Sequence, residues 1–336
     1  MQSFLHDQAE RWSIGLDLGA DQVKFICLAH LKGTHELMAH GLFKRSNTDG
    51  IRAALRHPAI RNGDIRANVA DPGIRIQKLD LPEVPESELD EIAKWAIKDQ
   101  LENSLEEYLF RYDRTGEVPT KTGVPYLVIA VPQRAIENLE KELKGLGIRR
   151  AHVIEPNIYA LANSVLHNYE PQKDDRYAVI DLGKVQALFG VVSPHGLVNS
   201  RDLKGISGEI LTQLLSSDRG VSLEEAERYK ISEPDLLRGP QAGNTEGLVQ
   251  YLSRAAVEIQ HSLDNYALLY PKDSITNILL TGGESCLKIL SPYIQDTLKI
   301  PTRVLDPFRK VDISRFEKTN LDQTKALYGV AMGLAL

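Results

Sequence analysis

The chain has 336 residues, 42% of them hydrophobic and 26% charged. That length suits two domains better than one, because single cores stop growing at roughly 250 to 300 residues. The formal net charge of −6, with Lys and Arg dispersed apart from Arg149-Arg150 and Arg309-Lys310, speaks against nucleic acid as a partner.

Cys27 and Cys286 are the only cysteines. Far apart and each in or beside an apolar segment, they read as small core residues of a reduced, cytoplasmic protein. Met1 to Arg11 lacks the apolar core of a signal peptide and reads as a flexible N-terminus. No stretch approaches the roughly 18 uncharged apolar residues of a membrane helix, so no direct membrane insertion is expected. The nine histidines show no zinc-site spacing.

Trp12 to Gly19 reads as a strand ending in Asp17-Leu18-Gly19, and strands at Val23 to Leu28 and Glu36 to Phe43 continue a meander. Thr48 to Arg56 reads as a short helix. Asn68 to Ala70 and Ile74 to Lys78 read as strands around the Asp71-Pro72-Gly73 turn. A different segment follows, with Ser87 and Asp90 as helix-starting residues and Leu89, Ile92, Ala93 and Ala96 at helical spacing. Glu83 to Glu107 holds nine acids against two bases, either a solvated face or a docking surface. Strands at Glu107 to Asp113 and Pro125 to Val131 flank a loop at Thr115 to Thr122, and a helix runs from Gln133 to Leu146. Ala151 to Glu155 is an apolar strand stopped by Pro156, and Ile158 to Leu166 has helical periodicity.

After a polar junction at Glu170 to Arg176 the opening pattern returns. Tyr177 to Gly183 repeats the strand and its Asp181-Leu182-Gly183 turn, with strands at Gln186 to Val192 and Leu197 to Asp202. Helices are expected at Glu209 to Leu215, Leu223 to Tyr229 and Leu248 to Leu269, and a mobile loop at Arg238 to Glu246. Asn277 to Glu284 is an apolar strand ending in a glycine turn, leading into a helix at Cys286 to Leu298. Asp322 to Leu336, rich in Ala and Gly, should pack closely.

A single Asp-x-Gly is a common hairpin turn. Two copies and a third strand–glycine turn suggest two half-domains gripping one nucleotide, each Asp holding a Mg²⁺-bound water and each turn presenting N–H groups to phosphate. Here the residues resemble the actin and Hsp70-like ATPases, with Asp17 and Asp181 in the two phosphate motifs and Thr281-Gly282-Gly283 in the adenosine motif. Four stretches are similar to the PilM family of type IV pilus assembly proteins. These are Trp95 to Leu101 with Leu105-Glu106-Glu107; Glu155-Pro156 with Ala160 to Asn163; Glu258-Ile259 with Ser262-Leu263-Asp264 and Tyr266; and Asp306-Pro307-Phe308.

The resemblance implies an α/β, actin-like ATPase fold of two RNase H-like domains. Residues 12–78 and 147–169 would form the first, with 320–336 returning to it. Residues 79–146 would be an inserted 1C-type subdomain and 170–319 the second domain. ATP and Mg²⁺ are the implied cofactors, with Asp17 and Asp181 toward the metal. Gly19, Ala20, Asp21, Lys24, Gly183, Lys184, Glu258, His261, Gly282, Gly283 and Glu284 would be toward the nucleotide. Strand alternation leaves Lys24 either solvent-facing or on phosphate. Glu155 is either the group that positions the attacking water or a capping carboxylate.

The implied partner is the cytoplasmic N-terminal segment of a PilN-type inner-membrane protein, held by the first domain and the insert. A pilus motor ATPase and a second copy of the chain are further candidates. The protein would then lie at the inner membrane through that partner. Alternatives are an FtsA-like filament protein, although Gly333 to Leu336 ends without an amphipathic helix, and a small-molecule kinase. Both phosphate turns depart from the family pattern, with Ala20-Asp21-Gln22 and Lys184-Val185 where hydroxyl residues are usual. Nucleotide binding with weak or absent hydrolysis is the expectation.

Overall fold

The computed structural model describes residues 11–56, 60, 63–115, 119, 121, 123–232 and 246–336. All of the expected flexible N-terminus except Arg11, which begins the first strand, most of the 115–122 loop and most of the 238–246 loop lie outside the described residues.

The chain opens with an antiparallel meander, β1 (Arg11–Leu18), β2 (Gln22–Leu31) and β3 (Thr34–Lys44), followed by α1 (Thr48–Leu55) and β4 (Asp64–Val69). β4 lies parallel to β1 on the side away from β2, so the first sheet reverses order there. Asn47 starts α1 by accepting from the Gly50 N–H at 3.0 Å, the usual side-chain satisfaction of a helix's free donors.

The Asp71-Pro72-Gly73 turn does not join paired strands. β5 (Arg75–Leu81) beyond it enters a separate three-stranded sheet in the order β5–β7–β6, built with β6 (Tyr108–Arg114) and β7 (Val124–Pro132). This insert therefore begins at Arg75, ahead of the expected boundary at 79. α2 (Glu86–Ile97) covers one of its faces through Leu89, Ala93 and Ile97, packed on Tyr108, Phe110, Val128 and Ala130. Alternate residues of β7, Leu127, Ile129 and Val131, point the other way into the core of the first domain, as a two-residue period requires. α3 (Gln133–Gly145) joins that core through Ala135, Leu139 and Leu143.

β8 (Val153–Pro156) completes the first sheet at the β4 edge and leads into α4 (Asn157–Tyr169). The second domain repeats the meander as β9 (Tyr177–Leu182), β10 (Ala187–Ser193) and β11 (Gly196–Leu203), followed by α5 (Gly208–Arg219), α6 (Leu223–Ser232) and α7 (Glu246–Leu269). β12 (Asn277–Thr281) lies parallel to β9, as β4 does to β1, and β13 (Thr302–Val304) closes a five-stranded sheet. After β12 a short 3₁₀ turn spans Gly283–Cys286, and α8 (Leu290–Leu298) begins four residues later than the sequence pattern suggests.

β14 (Val311–Asp312) pairs with β3 of the first sheet, and α9 (Lys318–Thr324) and α10 (Gly329–Ala335) follow. α10 lies against β1 and α4 at backbone contact. A Cβ on Gly15 would stand 1.9 Å from the Ala331 carbonyl oxygen, and one on Gly333 would stand 1.6 Å from that of Ala160. Only glycine permits these approaches. The end of the described chain is thus part of the first domain's core, with Val330 and Leu334 buried in it. No helix among the described residues is long and apolar enough to cross a membrane.

Candidate functional site

The site forms where the two meanders present their first turns. Antiparallel register places Lys24 directly across from Asp17, so the two side chains share one face of the sheet. The Lys24 Nζ donates to Asp17 Oδ2 at 2.6 Å, so this lysine, its side chain 15% exposed, is turned onto a carboxylate rather than to open solvent. The other Asp17 oxygen accepts from Asn68 Nδ2 at 3.2 Å, while Asn68 Oδ1 accepts from the Leu18 N–H at 2.7 Å. Asn68 also donates to Asn157 Oδ1 at 2.8 Å, tying β4 to the start of α4.

In the second domain the residue opposite Asp181 is Leu188, so this carboxylate has no lysine of its own. Burial pushes the Asp181 pKa up to about 6, and the charge of Asp17 adds to the rise while Lys24 opposes it. Asp17, Asp181 and Lys24 thus act on one another through their charges. Gly282, with φ +84°, lies directly on Asp181: a Cβ there would stand 2.6 Å from Asp181 Oδ1. Its N–H and the Thr281 hydroxyl both donate to the Ala326 carbonyl, at 3.3 and 2.8 Å. Gly283 is exposed, and a Cβ there would meet nothing within 4 Å.

Each turn is braced from outside. Arg45 Nη1 donates to the Gly19 carbonyl at 2.5 Å and Arg45 Nη2 to Glu142 of α3 at 2.5 Å, linking the first turn to the insert's helix. Ala20 at the tip of that turn is exposed. The Gly183 and Lys184 carbonyls accept from the N–H groups of Gly208 and Glu209 at 3.0 and 2.8 Å, seating the second turn on the start of α5. Between the turns, Lys184 Nζ donates to Asp21 Oδ1 at 3.0 Å. The two departures from the family pattern thus pair with each other.

Glu284 is in a different place from an open nucleoside contact. Its carboxylate is buried and accepts from Lys230 Nζ at 2.9 Å, and Lys230 also donates to Thr212 Oγ1 at 3.0 Å and the Gly208 carbonyl at 3.2 Å. Glu227 Oε2 completes the shell at 3.0 Å. Half-buried Glu258 and exposed His261 sit one turn apart on α7, joined to the cleft turns by no hydrogen bond or ion pair among the described residues. Sequence reasoning passed over Asn68, Asn157, Arg45 and Lys230. The one available signal was Asn68, a polar residue at the end of an apolar strand.

Glu155 sits toward the insert. It accepts from Asn163 Nδ2 at 3.3 Å, and its neighbouring charge is Asp113 of β6, which itself accepts from Tyr159 Oη at 2.8 Å. Burial, with Asp113 adding to it, pushes the Glu155 pKa up to about 7. A folded-state value above the unfolded one means that ionising Glu155 costs stability as pH rises from about 4.5 to 7. Glu155→Gln is therefore expected to stabilise the fold at pH 8 and to leave it unchanged at pH 4. Thermal melts across that range check this, and a variant no more stable than wild type at pH 8 overturns it.

The arrangement has known counterparts. The solved PilM-PilN type IV pilus biogenesis complex contains a chain that superposes with TM-score 0.82 at 20% identity, over 96% of this chain and 97% of that one. The ethanolamine utilization protein EutJ from Carboxydothermus hydrogenoformans superposes with TM-score 0.55 at 14% identity, over 99% and 93%. The fold is that of the actin-like ATPases, with two meander-based domains and a three-stranded insert in the first. A family profile described as type IV pilus assembly protein PilM matches residues 64–336, and the chain belongs to that family.

Proposed function

We propose that the protein is a PilM-like, cytoplasmic, ATP-binding scaffold of the type IV pilus inner-membrane assembly complex. It captures the cytoplasmic N-terminal segment of a PilN-type membrane protein and is held at the membrane by it. The observation that carries this reading is the family match over 64–336, which takes in the whole insert and all of the second domain. Filament and kinase readings have no comparable support.

The cleft suits Mg-ATP in its donor set. Among the described residues no cluster of three metal-ligating side chains exists, and Mg²⁺ is ordinarily held by one or two carboxylates, water and phosphate oxygens. Asp17 and Asp181 supply those carboxylates, and bound Mg²⁺ would neutralise phosphate charge between them. Lys24 is bonded to Asp17, and a Cβ on Gly19 of the first turn would stand 3.4 Å from its Nζ. Glu155, engaged by Asn163 and facing Asp113, lies in register beside Asn68 of the Asp17 network, and weak or absent hydrolysis is supported instead by the missing hydroxyl donors of both turns.

For the partner, the relevant geometry is the junction of insert and first domain. β6 and β8 are edge strands of their sheets, and the Tyr159–Asp113 hydrogen bond spans from one body to the other. Leu109 on β6 is 46% exposed, an apolar side chain beside an unpaired strand edge of the kind that accepts an extended segment. A labelled N-terminal cytoplasmic peptide of the cognate PilN-type protein is expected to bind in a fluorescence anisotropy titration. Leu109→Asp should weaken it by about tenfold, the effect of about 1.4 kcal/mol, with an unchanged melting temperature. A peptide that wild type does not bind would sink the partner reading, and one bound equally by the variant would move it away from β6.

A further inference from the structure

The Asp21–Lys184 pair joins the two halves of the molecule at the place where phosphates would enter. Asp21 belongs to the β1–β2 turn of the first domain and Lys184 to the β9–β10 turn of the second, 3.0 Å apart. Both are fixed at the backbone. The Asp21 carbonyl accepts from the Arg45 N–H at 2.8 Å and the Lys184 carbonyl from the Glu209 N–H at 2.8 Å. Only the side chains are therefore free to exchange partners.

We infer that this pair is a clasp that holds the cleft shut without nucleotide, and that an entering nucleotide opens it by taking Lys184 onto its phosphates. The inference rests on the nucleotide reading given above. Both turns lack the hydroxyl groups that would otherwise donate to phosphate, and in the second turn the Gln186 amide is engaged by Asp202 at 2.8 Å, which leaves the Lys184 ammonium as its cationic donor. It is part-exposed, at 33%, and can swing without crossing a packed core.

Electrostatics sets the direction of the exchange. Burial works against the Lys184 charge, but the hydrogen bond and charge of Asp21, with Glu227 and Glu209 behind it, outweigh that and hold its pKa above the usual lysine value. Lys184 thus stays cationic and must choose between one carboxylate and a polyanion. The polyanion is the stronger partner, because attraction scales with charge at equal distance. Asp21 is then left facing the phosphates as an unpaired like charge. It is the cost that this chain sets on nucleotide entry, and it makes affinity lower than the cleft's other groups would give.

Two variants separate these roles. Asp21→Asn removes the repulsion and releases Lys184, and is expected to tighten Mg-ATP about tenfold by calorimetry, whereas Lys184→Gln should weaken it about tenfold. In the nucleotide-free protein, spin labels replacing the exposed Asp49 and Glu224, in a Cys286→Ser background, should report a longer, broader interdomain distance for either variant. The charge swap Asp21→Lys with Lys184→Asp should restore the wild-type distance. Unchanged distances in both single variants overturn the clasp, as does a wild type that binds Mg-ATP with Asp21→Asn no tighter. Failure of the nucleotide reading looks different: wild type and both variants all decline Mg-ATP while the distances still respond, which overturns displacement by phosphate.

Discussion

Replacing Lys230 by Met is expected to destabilise the protein by about 3–5 kcal/mol, the range for removing one partner of a buried ion pair. Met keeps most of the lysine stem's volume, so the loss reports charge rather than a cavity. The Lys230 ammonium is surrounded by Glu284, Glu227, Thr212 and the Gly208 carbonyl, all within 3.2 Å. Without it the Glu284 carboxylate has no cation in hydrogen-bond range. Burial already raises the Glu284 pKa and Lys230 opposes that rise, so the variant should raise it further. A raised carboxyl pKa costs stability as pH climbs above the unfolded value, and the deficit should accordingly be smaller at pH 5 than at pH 8.

Adding Glu284→Leu should recover most of the lost stability, since Glu227 is partly exposed and can rehydrate. Chemical denaturation of the two single variants and the double variant gives the coupling directly. A Lys230→Met protein that unfolds at the wild-type midpoint would show that the pair carries no net energy. The same pair accounts for a buried carboxylate beside the glycine turn, because Lys230, 54 positions earlier, is there to meet Glu284.

That pairing marks where the sequence stops being legible. Strand–turn–strand repeats were visible because apolar runs and glycine turns are local, and β1 to β3 and β9 to β11 form as their patterns predict. Asp17 and Asp181 were readable for the same reason. Lys230, Arg45 and Asn157 were not, because their roles depend on which distant residues the fold brings within 3 Å. Where the insert starts was hidden for a related cause, since β5 is assigned to it by pairing with the distant β7, Ile76 opposite Ile129 and Leu81 opposite Val124. β7 alternates between two cores, and its period of two is satisfied on both faces, so nothing local tells which domain owns it.

The consequence is practical. Excising residues 83–146 to test partner capture would also remove Leu127, Ile129, Val131, Ala135, Leu139 and Leu143 from the first domain's core. Loss of binding in such a protein would report unfolding. Single changes on the exposed edge avoid this, and so does reading the cleft and the insert separately. Arg45 connects them, since it holds both the Gly19 carbonyl and Glu142 of α3.

Asp17→Asn is the change expected to affect the cleft most. Asparagine keeps the shape and can still accept from Asn68, so the β1–β4 tie persists. It removes one of the two carboxylates that would hold a hydrated Mg²⁺, and with it the anion now bonded to Lys24. A charged hydrogen bond and metal contact together are worth about 2.7 kcal/mol or more, so Mg-ATP affinity should fall at least about a hundredfold in calorimetry. In EDTA the sign differs. With no metal to hold, the variant cleft carries one fewer negative charge and a released Lys24, so metal-free ATP should bind no worse than to wild type and somewhat better. Asp181 should also titrate closer to an ordinary aspartate, because the Asp17 charge adds to its upward shift. Equal Mg-ATP affinity in variant and wild type would place the nucleotide away from Asp17. An equal loss with and without metal would mean that Asp17 orders the turn rather than serving Mg²⁺, and the cleft would then bind phosphate through Lys24 and the turn backbones alone.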